Sequence, residues 1–286
     1  MIHVNCNLCG MDDAERIAMQ NGYRMVRCRN CGLIYVDPRP PREMLISLYD
    51  SYHQRGRKDM QSWKALMSRN FEEIADLIDM RYPSKGNLLD VGCGYGHFIE
   101  IMQSREWKAT GIEPSEETSA NARARGLDIK QTALEDALFH EGSFDAITAF
   151  YVLEHLYDPL DALNKMYKLL KKGGMLVIRV PHTTPIVRLL NLFGIENNLY
   201  DMPFHLYDFS PSTVKSMLEK AGFAGIRVTP GSPTMPPGYA ERLISLLSGH
   251  TARLLHTLSK GKILLPGVSK TVFALKLDHM PGSANA

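Results

Sequence analysis

Apolar positions along the chain recur with two different periods. Over residues 59–80, Trp63, Leu66, Met67, Phe71, Ile74, Leu77 and Ile78 return at spacings of three and four, which predicts a helix packed on something larger. Compact apolar runs follow at Asn87–Val91, Ala109–Ile112, Phe144–Phe150 and Met175–Val180, as expected of strands buried on both faces. Helical stretches separate them. One runs from His97 to Arg105; another carries Leu163, Met166, Leu169 and Leu170 and stops at Lys172-Gly173-Gly174. This alternation predicts an α/β fold, a parallel sheet with helices on both faces, and a ligand crevice at the carboxyl ends of the strands.

The pattern loosens towards both ends. Leu33-Ile34-Tyr35-Val36 predicts a short strand, Asp37-Pro38-Arg39-Pro40-Pro41-Arg42 breaks it, and residues 42–50 read as a helix. Pro185–Leu190 is predicted helical within a Pro-, Asn- and Leu-rich stretch, 181–210, that stands where a substrate cover would. Ser210 and Pro211 open a helix that ends at Lys220-Ala221-Gly222. Ile226–Val228 resumes the sheet, and Thr271–Leu277 supplies a last strand, expected antiparallel to it. Between them, residues 239–259 carry Leu243, Ile244, Leu246, Leu247, Leu254, Leu255 and Leu258 on one helix or a broken pair. That stripe is expected to pack on the core or on a second copy, giving a homodimer through the C-terminal helices.

Composition adds limits. The 286 residues suffice for one large domain or two modest ones, and 33 basic against 31 acidic residues leave a formal charge of +2. Nucleic acid is therefore not the expected partner. No apolar run approaches the roughly 18 residues of a membrane span, and the N-terminus lacks a signal-peptide pattern. A cytoplasmic location is expected.

The cysteines change the picture most. Four of the five fall in the first 31 residues, as Cys6-x2-Cys9-Gly10 and Cys28-x2-Cys31-Gly32. A two-residue gap lets both thiolates of a pair reach one ion, and two such pairs form a closed tetrahedral shell suited to structural zinc. Redox pairs, disulfides and iron are the alternatives. With four thiolates and Zn2+, the formal charge falls close to zero.

Gly92-Cys93-Gly94-Tyr95-Gly96 follows the first strand of the body immediately. Its glycines permit a tight turn and close backbone approach, with helical amides facing the opening. Seventeen residues on, Glu113 ends the second strand, where a carboxylate can accept both hydroxyls of a ribose. The longer Gly-x-Gly-x-x-Gly form of dinucleotide sites is missing, which favours a cofactor without a pyrophosphate.

Asp90–Gly96, Gly111-Ile112-Glu113-Pro114-Ser115, Ser143–Ile147, Leu153-Glu154-His155-Leu156 with Asp158-Pro159, and Leu170–Gly174 together resemble the motifs of class I S-adenosylmethionine-dependent methyltransferases over about residues 86–230. The head, through Tyr35, Pro38, Pro40 and Tyr49-Asp50-Ser51-Tyr52, is similar to bacterial methyltransferases with an N-terminal four-cysteine zinc module. Some of those are sugar C-methyltransferases, which usually carry a further C-terminal domain. The resemblance implies a Rossmann-like, mostly parallel seven-stranded sheet plus a small zinc ribbon-like module. It divides the chain into a zinc-binding module at 1–41, a helical linker and lid at 42–85, and a methyltransferase domain at 86–278. A helical insertion at 231–270 and a fraying tail at 279–286 complete it.

It also implies roles. Gly92, Cys93, Gly94 and Gly96 would meet the amino-acid end of the cofactor, Asp90 its ammonium, Glu113 the ribose, and Pro114 and Ser115 the adenine pocket. Thr132-Ala133-Leu134-Glu135-Asp136 falls where adenine is recognised, with threonine at Thr132 where aspartate is frequent, so the candidates there are Leu134 with Glu135 or Asp136, or backbone groups alone. Tyr52 would cover the cofactor. Methyl transfer to an oxygen calls for a base, and a histidine has a suitable proton affinity. His205 and His182 come first, with His155 at the cofactor end and His97 opening the helix after the glycine loop. The expected reaction is methylation of a small molecule such as a sugar derivative or secondary metabolite. RNA or protein methylation and non-enzymatic cofactor binding are the alternatives.

Overall fold

The computed structural model describes residues 1–45, 60–233, 238–259, 264–265 and 269–277. Its body is a seven-stranded sheet built from β4 (Asn87–Val91), β5 (Lys108–Ile112), β6 (Ile129–Lys130), β7 (Phe144–Phe150), β8 (Leu170–Val180), β10 (Ala224–Pro230) and β11 (Lys270–Leu275). The order is β10-β11-β8-β7-β4-β5-β6. β4, β5, β6, β7 and β8 pair in parallel, while β11 runs antiparallel to both neighbours, as its position after the strand near residue 226 predicts.

Successive residues of a strand face opposite sides of a sheet, and two cores divide accordingly. Leu88, Ala146 and Val177 join a cluster with Met67, Phe71, Ile74 and Ile78 of α1 (Met60–Arg81) and Phe98, Ile99 and Met102 of α2 (His97–Ser104). Their neighbours Leu89, Ile147, Leu176 and Ile178 face Leu163 and Met166 of α4 (Pro159–Leu169) and Val214 and Met217 of α6 (Pro211–Lys220). α3 (Glu116–Ala124) packs near β6, and α5 (Thr183–Leu192) follows β8. The helix of 239–259 is a single one, α7 (Tyr239–Leu258), with Leu243, Leu247, Leu254 and Leu258 turned outward. No described helix is long and apolar enough to cross a membrane.

Hydrophobic periodicity finds the strand at Leu33–Val36 but misses the hairpin of the head. β1 (Ala14–Gln20) and β2 (Tyr23–Cys28) form an antiparallel hairpin between the cysteine pairs. Asn21 and Gly22 both adopt positive φ at its tip, and Asn-Gly is the signal that could have located it. β3 (Ile34–Val36) pairs with β2 on one side and with β9 (Tyr207–Asp208) on the other. The head sheet thus takes its fourth strand from the end of the segment expected to cover substrate. Of the helix predicted at 42–50, residues 42–45 are helical; the remainder lies outside the described residues, as does the tail at 279–286.

Side chains reinforce that junction. Asn7 in the first cysteine pair donates to Asp158 Oδ1 (2.9 Å) and accepts from the Leu160 amide (3.0 Å) at the start of α4. Lys220 donates to the Leu8 carbonyl (2.6 Å). Arg39, buried, lies 3.9 Å above the Tyr157 ring and donates to the Tyr207 hydroxyl at 2.8 Å. Arg39→Ala should lower unfolding stability by about 2–4 kcal/mol, combining lost cation–π contact, hydrogen bond and packing. Arg39→Lys should recover only part, because an ammonium lacks the planar fork. Urea unfolding of both variants measures this.

Candidate functional site

The glycine loop connects the end of β4 to α2, and its three glycines are required for different reasons. All have positive φ, 65° at Gly92, 52° at Gly94 and 74° at Gly96. A β-carbon at Gly92 would stand 2.6 Å from Val152 Cγ2, and one at Gly96 would stand 2.7 Å from Leu127 Cδ1. At Gly94 nothing lies within 4 Å, so the backbone there borders open space at the carboxyl end of the sheet. α2 begins on Gly96 without a side-chain cap, leaving its first amides directed into that opening.

Glu113 joins this loop to the next. One carboxylate oxygen accepts the Gly94 amide at 2.9 Å and the other the Ser115 amide at 2.9 Å. Ser115 in turn caps α3 by accepting from the Thr118 amide. Asp90 is buried beside them and accepts from the Thr148 hydroxyl at 2.6 Å. Burial pushes its carboxyl up to about 7, against the Thr148 hydrogen bond and with help from the Glu113 charge. Such an acid is poised to ionise when a cation arrives. The Cys93 sulfur packs against Gly111, and burial raises its thiol far above the ordinary range.

The other expected cofactor positions are more dispersed. Pro114 is exposed, Leu134 buried, and Glu135 turns its carboxylate to Arg42 (3.5 Å) while its carbonyl accepts from Lys165 (2.8 Å). Thr132 bonds the neighbouring Ala133 carbonyl. Tyr52 lies outside the described residues.

Beyond β7 and β8 the structure gathers titratable groups. Ligand-type atoms of Glu154, His155 and His205 lie within 4.8 Å of one another, and the two imidazoles meet edge to face at 4.7 Å. His155 Nδ1 stands 2.9 Å from the Phe204 carbonyl. A carbonyl only accepts, so Nδ1 carries the proton and Nε2 keeps the lone pair. Glu154 is buried, with no hydrogen-bond partner for either carboxylate oxygen among the described residues, and burial raises it to about 8. His205 is held down to about 4 by burial. His182 begins α5, apart from that trio, with Nδ1 3.0 Å from Lys270 Nζ. Asp208 anchors the same turn, accepting the amides of Thr183 and Thr184 and the Thr184 hydroxyl. His97 is buried in the first turn of α2. Lys270 and Thr148 escaped the sequence reading; a lysine opening an otherwise apolar strand was the available signal for the first.

In the head, Cys6 and Cys31 sulfurs stand 3.4 Å apart and Cys9 and Cys28 sulfurs 3.5 Å, and all four lie within 4.8 Å of one another. These are free thiols, not disulfides. A tetrahedral zinc with Zn–S bonds of about 2.3 Å requires sulfurs roughly 3.8 Å apart, which this cluster meets with little movement.

Comparison with known proteins follows this geometry. A family profile described as "Methyltransferase domain" matches residues 53–228. A ubiquinone biosynthesis O-methyltransferase of Sodalis glossinidius is 32% identical over 131 residues, covering 43% of this chain and 53% of the relative. One of Saccharophagus degradans is 31% identical over 160 residues, covering 52% and 68%. The chain thus spans about half the length of the first. Among solved structures, a SAM-dependent methyltransferase from Archaeoglobus fulgidus superposes with a TM-score of 0.51 at 18% identity, covering 80% of this chain and 99% of that one; the likeness is one of fold.

The packing of Cys93 generates a test. A β-carbon on Gly111 would stand 2.5 Å from Cys93 Sγ and 3.0 Å from its Cβ. Gly111→Ala should cost about 1–3 kcal/mol by overpacking. Adding Cys93→Ala should restore part of that loss, since the sulfur leaves and the Cβ remains. A double-mutant cycle in urea reads the coupling.

Proposed function

The chain belongs to the methyltransferase domain family, and on that premise we propose that it transfers a methyl group from S-adenosylmethionine to an oxygen of a small-molecule acceptor. The observation that carries the reading is the Glu113 carboxylate bound to the Gly94 and Ser115 amides at the mouth of the glycine loop. A carboxylate has about four acceptor sites, so accepting two amides is compatible with receiving both ribose hydroxyls. The open space at Gly94 and the ionisable Asp90 suit the amino-acid end of the same cofactor. Pro114, Ser115 and Leu134 would line the adenine side.

When bound, S-adenosylmethionine supplies a methyl group made electrophilic by its sulfonium. The chain's share is alignment, exclusion of water and handling of one proton. His155 suits the last task, because its donation to the Phe204 carbonyl leaves Nε2 able to accept a proton from a hydroxyl. His205 beside it stays neutral near pH 7 and shapes the same wall. Oxygen as the acceptor atom agrees with the printed names of the relatives. A sugar derivative or another hydroxylated secondary metabolite fits this chemistry. In the head, Cys6, Cys9, Cys28 and Cys31 would hold a structural zinc with no open coordination position.

Calorimetry should detect binding of S-adenosylhomocysteine. Glu113→Ala should weaken it by about 10- to 100-fold, the loss of hydrogen bonds to a charged group. Affinity should rise as pH passes through about 7, since the ligand ammonium pairs with ionised Asp90. Absence of binding would remove the reading. Metal analysis should find about one zinc per chain; a folded but metal-free head would reject the four-thiolate site.

Radiolabelled methyl should enter a small-metabolite fraction and not RNA or protein. In that assay His155→Ala should lower kcat by about 10²-fold or more while affinity for S-adenosylhomocysteine is kept.

A further inference from the structure

Lys270, the first residue of β11, is fully buried and pairs with Val180 at the crevice end of β8. An ammonium removed from water survives only if its protons are taken up. Its Nζ donates to the Pro181 carbonyl and lies 3.0 Å from His182 Nδ1. Burial lowers this ammonium to about 8, and Asp208 first and Glu154 second oppose that by favouring its charge, so Lys270 is an ammonium at neutral pH.

The consequence falls on the imidazole. An ammonium has three donors and no lone pair, so His182 Nδ1 must accept. A neutral imidazole has one protonated nitrogen, which leaves the proton on Nε2. That nitrogen has no partner among the described residues, yet it is not among the buried polar atoms sealed from solvent. It stands two residues past the end of β8, on the side where the strands deliver their ligands.

We propose that Lys270 is a positioning residue that fixes His182 as the Nε2–H tautomer, so that His182 donates a hydrogen bond to an anionic or carbonyl oxygen of the methyl acceptor and does not remove its proton. The substrate half of this assignment rests on the methyl-transfer reading; the tautomer half does not. His182 and His155 then have opposite proton placement. The Phe204 carbonyl leaves His155 Nε2 with a lone pair, and Lys270 leaves His182 Nε2 with a proton. The two nitrogens can then do different work on one acceptor, His155 Nε2 taking a proton and His182 Nε2 holding a separate anionic or carbonyl oxygen. Burial keeps the His182 ring neutral, and the ammonium 3.0 Å away adds to that, since a second positive charge there is disfavoured. The groups bearing on the pair are Lys270, Glu154 and Asp208.

Nitrogen-15 NMR of the full chain with labelled histidine tests this directly. His182→Gln identifies the His182 signals among the ten histidines. The native protein should show a pyridine-like Nδ1 and a pyrrole-like Nε2 that stay unchanged from about pH 5 to about pH 7, across the range where an ordinary imidazole titrates and below that where Lys270 loses its proton. Lys270→Arg should keep that pattern; Lys270→Met should give mixed tautomers and a ring that titrates at higher pH. A protonated Nδ1 in the native protein overturns the assignment, even if Lys270→Met fails to fold. In methyl transfer to the labelled small-metabolite fraction, His182→Gln should stay within about tenfold of native activity, because its amide can still donate. His182→Ala should fall well below it; Gln as inactive as Ala would mark a base and overturn the donor role. The NMR readout needs no turnover, so its failure is distinct from a failure to bind S-adenosylhomocysteine, which would remove the methyl-transfer reading instead.

Discussion

A carboxylate drawn into a protein must be met by donors, and Glu113 is met by backbone. Its two oxygens hold the Gly94 and Ser115 amides, which belong to the loops after adjacent parallel strands. The bond therefore sets the distance between β4's loop and β5's loop, and so the width of the opening at Gly94. Backbone amides have no rotamers to lose. The geometry is prepared before any ligand enters, at the expense of a charge kept 7% exposed. Asp90 beside it is pushed towards neutrality chiefly by burial, with the Glu113 charge adding to the effect.

The substrate side obeys a similar rule with different means. Glu154, His182, Asp208 and Lys270 come from four separate segments, and none is exposed. The low dielectric there strengthens each interaction and penalises any group without one. Lys270 and Asp208 satisfy themselves on backbone and on neighbouring side chains. Glu154 is left with no hydrogen-bond partner for its carboxylate among the described residues, and burial accordingly favours its protonated form.

Local patterns were legible in the sequence wherever a single period or motif decided the structure. The stripe from Trp63 to Ile78 became α1, Ser210 and Pro211 opened α6 through a full capping box, and the glycine loop with Glu113 fell where the motifs required. What could not be read depends on contacts between distant segments. Nothing in Tyr207-Asp208 announces a strand; it becomes one because β3 offers an open edge. Lys270 is 88 residues from His182, and only the antiparallel pairing of β11 with β8 brings them together. The His182 and His155 side chains look equivalent in sequence, and their hydrogen-bond partners alone separate an acceptor from a donor.

The side chain of Asn7 belongs to two structures at once. It sits between Cys6 and Cys9, and it also receives the amide that begins α4 and donates to the Asp158 cap. Together with β9, this makes the cysteine head and the body share parts instead of merely touching. The head is consequently a poor candidate for transplantation. Grafted onto another body of the same fold, it would arrive without its fourth strand and without a helix start for Asn7 to close. Recombination between relatives of this chain is then expected to keep the head, the start of α4 and residues 181–210 together as one inherited unit.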